Sequence, residues 1–406
     1  MRGASRLAVR PTARGWQALV IGLLVLFLAR MIGTTQLHQL AYALLALLLA
    51  ALVLAWAGSR RLRYSRALPP GTHITAGRPA SIRLLLERSG SSKVSVVDRL
   101  PEPRVLEAPP LGETRIEAPL TFARRGVYEL GPAEVWVTDS FGLLRFVRRF
   151  EERTEVVVYP EVHDLPGFPL VGGNVEVGAR GARGQRGDEF AGLREYRHGD
   201  DRRHIHWKSV ARTGELYVKE FALEAPRRYT VALDLRREGI RTLEAEVEDA
   251  VSAAASVLTH LRRERLPSRL VCADRAGAAT QFGSGEASYW EAMRLLATAR
   301  ADGERSLAEA ALAQKGGLGE SVVLISRTRD EDLPGCVRKL RSAGTSVLVV
   351  AIATHTYRMP SGGAAQSREA EFLRSVDRLG AAGAAVRVMS HPDGVAGLSG
   401  TNLRAG

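Results

Sequence analysis

The chain has 406 residues, 45% of them apolar, and a formal charge of +13, enough material for two or three folded domains and too apolar for a disordered chain. Nine arginines and no acid fall in residues 1–66, so the other 340 residues carry 48 basic against 44 acidic groups. That small surplus is unremarkable for a soluble body, and most of the basicity belongs to the N-terminus. The two cysteines, Cys272 and Cys336, show no CxxC or disulfide-like spacing and fit inert thiols in a reducing compartment.

Trp16 to Ala29 is apolar except for Gln17, Gly33 to Gln39 reads as a polar turn, and Leu40 to Ala57 runs 18 residues without a charge. Each apolar run approaches the ~20 residues that a helix needs to cross a bilayer, so residues 1–66 are expected to form a two-helix transmembrane hairpin in the lipid bilayer. Arg30 can snorkel to the interface. Arginines flank both outer ends, which puts those ends and the soluble body in the cytoplasm, with the protein multi-pass in the inner membrane. A cleaved signal peptide ending at Ala55-Trp56-Ala57 would leave the second span and the second arginine cluster unexplained.

Residues 72–159 break into short apolar or alternating runs separated by Pro and Gly, the pattern of a β-sandwich. The runs are Ser81 to Glu87, Val94 to Asp98, Glu113 to Phe122, Val127 to Leu130, Glu134 to Thr138 and Glu155 to Tyr159. Trp136 and Phe141 read as core aromatics, and Asp139-Ser140-Phe141-Gly142 as a turn with glycine at positive φ. Residues 160–187 form a Gly/Pro-rich linker; its GARGARGQRG stretch lacks the G-K-[ST] of a phosphate loop.

Residues 188–221 hold seven basic and seven acidic residues, three histidines and a tryptophan. That balance argues against nucleic acid, which wants an unopposed basic surface. A helix is expected from Arg202 to Thr213, capped by Asp200 or Asp201 and closed at Gly214. On a helix His204 and His206 point about 200° apart and cannot share a metal. A hydrolase built on Asp200, His204 and His206 would therefore need a strand. Trp207, Val210 and Ala211 share a face expected to dock onto the body, while His204, Lys208 and Arg212 form a basic stripe for the motif's own acids or a partner's. Bracing salt bridges are expected at Asp200, Arg203 and Arg212.

Residues 226–395 alternate strands and helices, which predicts a doubly wound α/β domain. The strands are Tyr229 to Leu235, Arg269 to Ala273, Ser321 to Ser326, Ser346 to Ala353 and Ala385 to Met389. The helices are Glu244 to Arg263, Ala287 to Ala299, Leu333 to Ala343 and Arg368 to Leu379. Ligands of such sheets sit beyond the carboxyl ends of the strands, where Asp234, Asp274, Ser326 and Asp330 are expected. Asp234 is followed by Arg236 and Glu238, and a guanidinium there opposes a divalent metal. A partner contact is expected at this edge instead.

Glu189, Phe190, Leu193, Arg194, Tyr196, Gly199, Asp200, Arg203, Ile205, Trp207, Ala211, Arg212, Leu216, Val218, Lys219 and Glu220 fit the pattern G-x-E-F, L-R-x-Y, G-D-x-x-R-x-I-x-W, A-R, L-x-V-K-E. This run resembles the signature of the domain of unknown function 58 family, whose layout of membrane hairpin, sandwich and α/β domain the chain also resembles. The family's C-terminal part is similar to von Willebrand factor A domains, which bind metal through D-x-S-x-S; here Asp234 matches while Arg236 and Glu238 replace both serines. The resemblance implies a non-enzymatic scaffold or adaptor without a cofactor. It also implies partners among MoxR-type AAA+ ATPases and membrane proteins with transglutaminase-like domains, in assembly of envelope proteins. Two alternatives stay open: a hydrolase using carboxylates and histidines of residues 188–221, and a nucleic-acid-binding membrane protein, which would bind with strong salt dependence.

Overall fold

The computed structural model describes residues 6–60, 62–69, 71–87, 93–100, 102–108, 114–139, 141–169, 190–197, 202–221, 227–237, 243–314, 316–327, 330–357 and 364–399. The chain divides into two compact units, Met1–Glu161 and Val162–Gly406.

The first unit opens with a strand, β1 (Arg6–Pro11), then two helices, α1 (Ala13–Ile32) and α2 (Thr35–Arg60), each containing a stretch long and apolar enough to cross a membrane. Gly15, Gly22 and Ala29 are the buried residues of α1. Their spacing of seven, close to two helical turns, places them on one stripe, and a Cβ on Gly22 would touch the Leu44 side chain of α2 at 3.7 Å. The expected turn from Gly33 to Gln39 is shorter in the structure, because α2 begins at Thr35. The polar run there is the first turn of a helix, with His38 Nδ1 lying 3.0 Å from the Thr34 carbonyl.

Ten further strands complete the unit: β2 (Arg63–Ala67), β3 (Ile74–Thr75), β4 (Pro79–Glu87), β5 (Lys93–Leu100), β6 (Glu102–Ala108), β7 (Thr114–Thr121), β8 (Gly126–Leu130), β9 (Ala133–Thr138), β10 (Leu144–Phe150) and β11 (Thr154–Tyr159). They form sheets of order β1-β10-β9-β5-β6, β2-β4-β7 and β3-β11-β8. Alternation decides their faces: Ala133, Val135 and Val137 of β9 point inward, while Glu134, Trp136 and Thr138 stay half-buried. All three sheets contribute to one core, which includes Ile82, Leu84, Val96, Leu120, Val135, Phe146 and Val158. The expected boundary at residue 66 therefore moves, since β1 and β2 are sheet strands. Phe141 also departs from expectation: it is 49% exposed and not a core aromatic. Trp136 stacks on the Arg145 guanidinium, 4.6 Å from ring centroid to Cζ.

A buried ion pair ties this sandwich together. Arg66 Nε and Nη2 each donate to Asp98 at 2.7 Å, and Nη1 donates to the Leu130 and Glu152 carbonyls at 3.1 and 2.8 Å. Both side chains are wholly buried. The Tyr64 hydroxyl also donates to Asp98; burial and the adjacent carboxylate push its pKa up, so it stays a neutral donor. A buried pair is tolerable only when its remaining donors and acceptors find partners, and this one links β2, β5, β8 and the β10–β11 turn.

The second unit begins with residues that pack rather than link. Leu165 and Phe168 are buried, the His163 amide donates to Ser256 Oγ at 2.9 Å, and Asp164 pairs with Arg263 at 2.6 Å. The expected linker therefore starts later than residue 160, and its residues 170–187 lie outside the described ones. A two-stranded ribbon follows, β12 (Phe190–Glu195) and β13 (Tyr217–Phe221), with α3 (Trp207–Thr213) between them. The α/β body is β14 (Tyr229–Leu233), α4 (Glu244–Arg263), β15 (Ser268–Cys272), α5 (Glu286–Thr298), α6 (Leu307–Leu312), β16 (Ser321–Ser326), α7 (Leu333–Ser342), β17 (Ser346–Ile352), α8 (Ala364–Ala381) and β18 (Ala385–Met389). Its sheet is parallel throughout, of order β15-β14-β16-β17-β18. Every residue of β14 and β16 is buried, as expected of strands covered on both faces. Helix α6 has no counterpart among the expected elements.

Replacing Arg66 by Met leaves Asp98 buried without its guanidinium and is expected to cost about 3–5 kcal/mol. The change reads as a lowered denaturation midpoint of the full chain in detergent. Adding Asp98→Leu should recover most of the loss; an unchanged midpoint in the single variant would contradict the role assigned to the pair.

Candidate functional site

The strand order places the reversal of winding between β14 and β16, whose carboxyl ends flank the crevice where open α/β sheets hold ligands. Asp234 stands just beyond β14 and Arg327 just beyond β16. Asp234 is completely buried. Its Oδ1 accepts from the Arg236 amide at 3.1 Å and its Oδ2 from the Arg327 amide at 3.2 Å. The carboxylate thus stitches the two loops of the crevice to each other.

The Arg327 side chain is bonded within the chain as well. Its Nη1 donates to Glu246 Oε1 at 2.7 Å and its Nη2 to the Arg236 carbonyl at 2.6 Å. Neither Arg327 nor Glu246 exposes any of its side chain. Glu246 lies in the first turn of α4 and also accepts from the Leu243 amide at 3.3 Å, where a carboxylate suits the helix macrodipole. One guanidinium therefore joins β16, α4 and the loop after β14.

The other polar residues of this edge are also engaged within the chain. Asp330 accepts from the Ala308 amide at 3.0 Å and the Asp332 amide at 3.1 Å, fixing the starts of α6 and α7. Asp274 accepts from the Ala278 amide at 3.2 Å in a tight turn, and Ser326 is buried. Tyr357, after β17, donates to Asp249 on α4 at 2.6 Å. Glu238 lies outside the described residues. Asp234 itself is buried and cannot touch a partner, while Arg236 is half-buried and Arg237 exposed at the edge where a partner contact is expected. Arg327 and Glu246 are the residues that sequence reasoning missed. Their one signal is an arginine directly after the fully buried strand β16 and an acid at the third position of α4, the helix that follows β14.

The charged segment has a different shape from the expected helix. Arg202–His204 is a single 3-10 turn, Ile205 bridges Val218 of β13, and only Trp207–Thr213 is α-helical. Ile205 and Val218 are both buried, and their pairing holds the chain extended where a continuous helix would pull it away. His204 thereby leaves the stripe formed by Lys208 and Arg212. His206 Nδ1 lies 2.8 Å from Ser209 Oγ, and Gly214, at φ 74°, closes the helix by donating to the Val210 carbonyl.

No residue of α3 is buried. Ser209 and Val210 are half-sheltered, while Trp207, Lys208, Ala211 and Arg212 are exposed, Trp207 by 63%. The expected docking of Trp207 onto the body is thus reversed: that face looks outward. Among the other signature residues Arg203 and Lys219 are exposed, Arg194 donates to the Glu195 carbonyl at 3.1 Å, and the Tyr196 amide donates to the Leu216 carbonyl at 2.9 Å. Phe190 lies on β12. Glu189 and Asp200 lie outside the described residues, and with Asp200 goes the bracing expected of it. Among the described residues no group of three or more His, Cys, Asp or Glu could hold a metal ion.

Breaking the crevice pair from one side leaves a buried charge, so Arg327→Met and Glu246→Leu alone should each cost about 3–5 kcal/mol, while the double variant should be close to wild type. Denaturant unfolding of the three variants measures the coupling. Additive losses would mean that the two side chains do not act as a pair.

A family model described as "Protein of unknown function DUF58" matches residues 192–378, from within β12 to within α8. No curated protein matches the chain. The matched stretch contains the outward-facing helix α3, the Asp234 crevice and its Arg327–Glu246 pair, and it supports the DUF58 family for this chain.

Proposed function

We propose that the chain is a membrane-anchored, non-enzymatic scaffold or adaptor whose cytoplasmic body presents a surface to other proteins. The observation that carries this reading is the crevice between β14 and β16: its carboxylate, Asp234, is spent on two backbone amides, and the Arg327 guanidinium is committed to Glu246. A site that turned over a substrate or held a cation would need those groups available. The α/β body is read as von Willebrand factor A-like, supported by a doubly wound parallel sheet with an acid directly beyond its first strand. In place of a metal, an internal guanidinium completes it.

Anchoring is supported by the apolar exterior of α1 and α2, on which Leu23, Leu24, Phe27, Leu49 and Leu54 are exposed. Such an exterior suits a hydrocarbon solvent. In this reading the two helices act as a transmembrane hairpin in the inner membrane, and the arginines at both outer ends support a cytoplasmic body. The exposed face of α3 supplies what a partner would grip: tryptophan and arginine are the residues enriched at interface hot spots. A MoxR-type AAA+ ATPase, implied by the family resemblance, is the first partner to test, followed by a transglutaminase-like membrane protein.

Gentle purification of the full chain from native membranes with nucleotide present should bring down a AAA+ ATPase. Trp207→Ala combined with Arg212→Ala should reduce its recovery about tenfold or more. Absence of any ATPase from the wild-type eluate would count against the adaptor.

A further inference from the structure

Strand β1 and helix α1 are separated by one residue, Thr12, which clamps the sandwich to the start of the helix. Its hydroxyl accepts from the Gly15 amide at 3.1 Å and donates to the Gly142 carbonyl at 2.7 Å, and its amide donates to the Leu143 carbonyl at 3.0 Å. Gly15 is required for this approach, because a Cβ on it would lie 2.0 Å from the Leu143 carbonyl oxygen. The β9–β10 turn is braced from within: Asp139, 3% exposed, accepts from the Phe141 amide at 2.8 Å and the Leu144 amide at 2.6 Å. The turn is therefore fixed on the first turn of α1.

The side chains gathered there share one chemistry. Phe141 is 49% and Trp16 56% exposed. Arg14 lies beside Gly142, its Nη1 within 3.9 Å of where a Cβ would stand. Arg10 is exposed and stands opposite Arg145 in the β1–β10 register. The first turn of α1 contains no acid, and a cation at a helix N-terminus opposes the macrodipole. Helix stability thus gives no reason for Arg14, whereas negative charge outside the chain does. Trp56, 42% exposed, stands at the corresponding outer end of α2. Aromatic rings with arginines at the mouth of an apolar helix pair are the set that settles at lipid headgroups.

We propose that Phe141, Trp16, Arg10 and Arg14 form a contact surface for the headgroup layer of an anionic bilayer. The sandwich is then a domain seated on the membrane and not a spacer that holds the body away from it. The inference rests on the anchoring read above and adds to it a lipid-charge dependence that apolar helices alone would not confer.

The full chain in lipid nanodiscs provides the test. Cys272 and Cys336 are 1% and 2% exposed, so Phe141→Cys can be labelled selectively with a fluorophore. Val105→Cys serves as control, on the edge strand opposite β1 in the same sheet and 58% exposed. Headgroup spin-labelled lipid should quench the label at 141 and spare the one at 105. An anionic spin-labelled headgroup should quench the label at 141 about tenfold more than a neutral one at equal content, and Arg10→Gln with Arg14→Gln should abolish that preference. Equal quenching at both positions with the chain still in the disc would overturn the seating and leave the anchoring intact. Quenching at 141 that ignores lipid charge would overturn the headgroup contact, and a chain that fails to enter discs would overturn the anchoring together with the seating.

Discussion

The α/β body is organised around one guanidinium. Arg327 extends from the end of β16 into the only part of a doubly wound sheet where neighbouring crossovers leave opposite faces, and it bonds there to Glu246 of α4 and to the carbonyl of Arg236. Without a cation at that point, Glu246 would be an unpaired buried charge at the start of the longest helix of the body. Asp234, itself a carboxylate, cannot supply that charge; its two oxygens hold the loop amides of Arg236 and Arg327. The crevice is built by the sheet, and the sequence fills it with its own charges.

The sandwich repeats the device with different residues. Arg66 and Asp98 join strands 32 positions apart through two bonds of 2.7 Å, wholly out of water. In both units a paired arginine at the centre costs desolvation that hydrophobic residues would avoid, and in both it fixes how elements distant in sequence meet. The second unit closes a ligand crevice in this way, while the first holds β2, and with it the exit of α2, against the rest of the sandwich.

What the sequence revealed follows from burial. The runs Ser321–Ser326 and Ala385–Met389 and the amphipathic run Glu244–Arg263 have the boundaries expected of them, because most of each strand and one face of the helix answer to the core. Strands β1, β2 and β10 were hidden by their arginines: RLAVRP, RYSRA and LRFVRRF do not look like core until the pairing of Arg66 with Asp98, or the stacking of Arg145 on Trp136, is known. The charged segment misled in the other direction. Its apolar spacing allows one helix, but Ile205 bridges Val218 of β13 instead of continuing a helical stripe, and Trp207 is exposed. Phe141 departs from expectation for a related reason, since an aromatic in a turn looks like core unless the turn ends beside an apolar helix.

Calorimetric titration of the full chain with Mg²⁺ and Mn²⁺ tests the closed crevice most directly. If the two loop amides hold both oxygens of Asp234 and Arg327 pairs with Glu246 Oε1, neither cation should produce a saturable heat that depends on Asp234. Stoichiometric, saturable binding that vanishes in Asp234→Asn while Arg327 is intact would contradict the account.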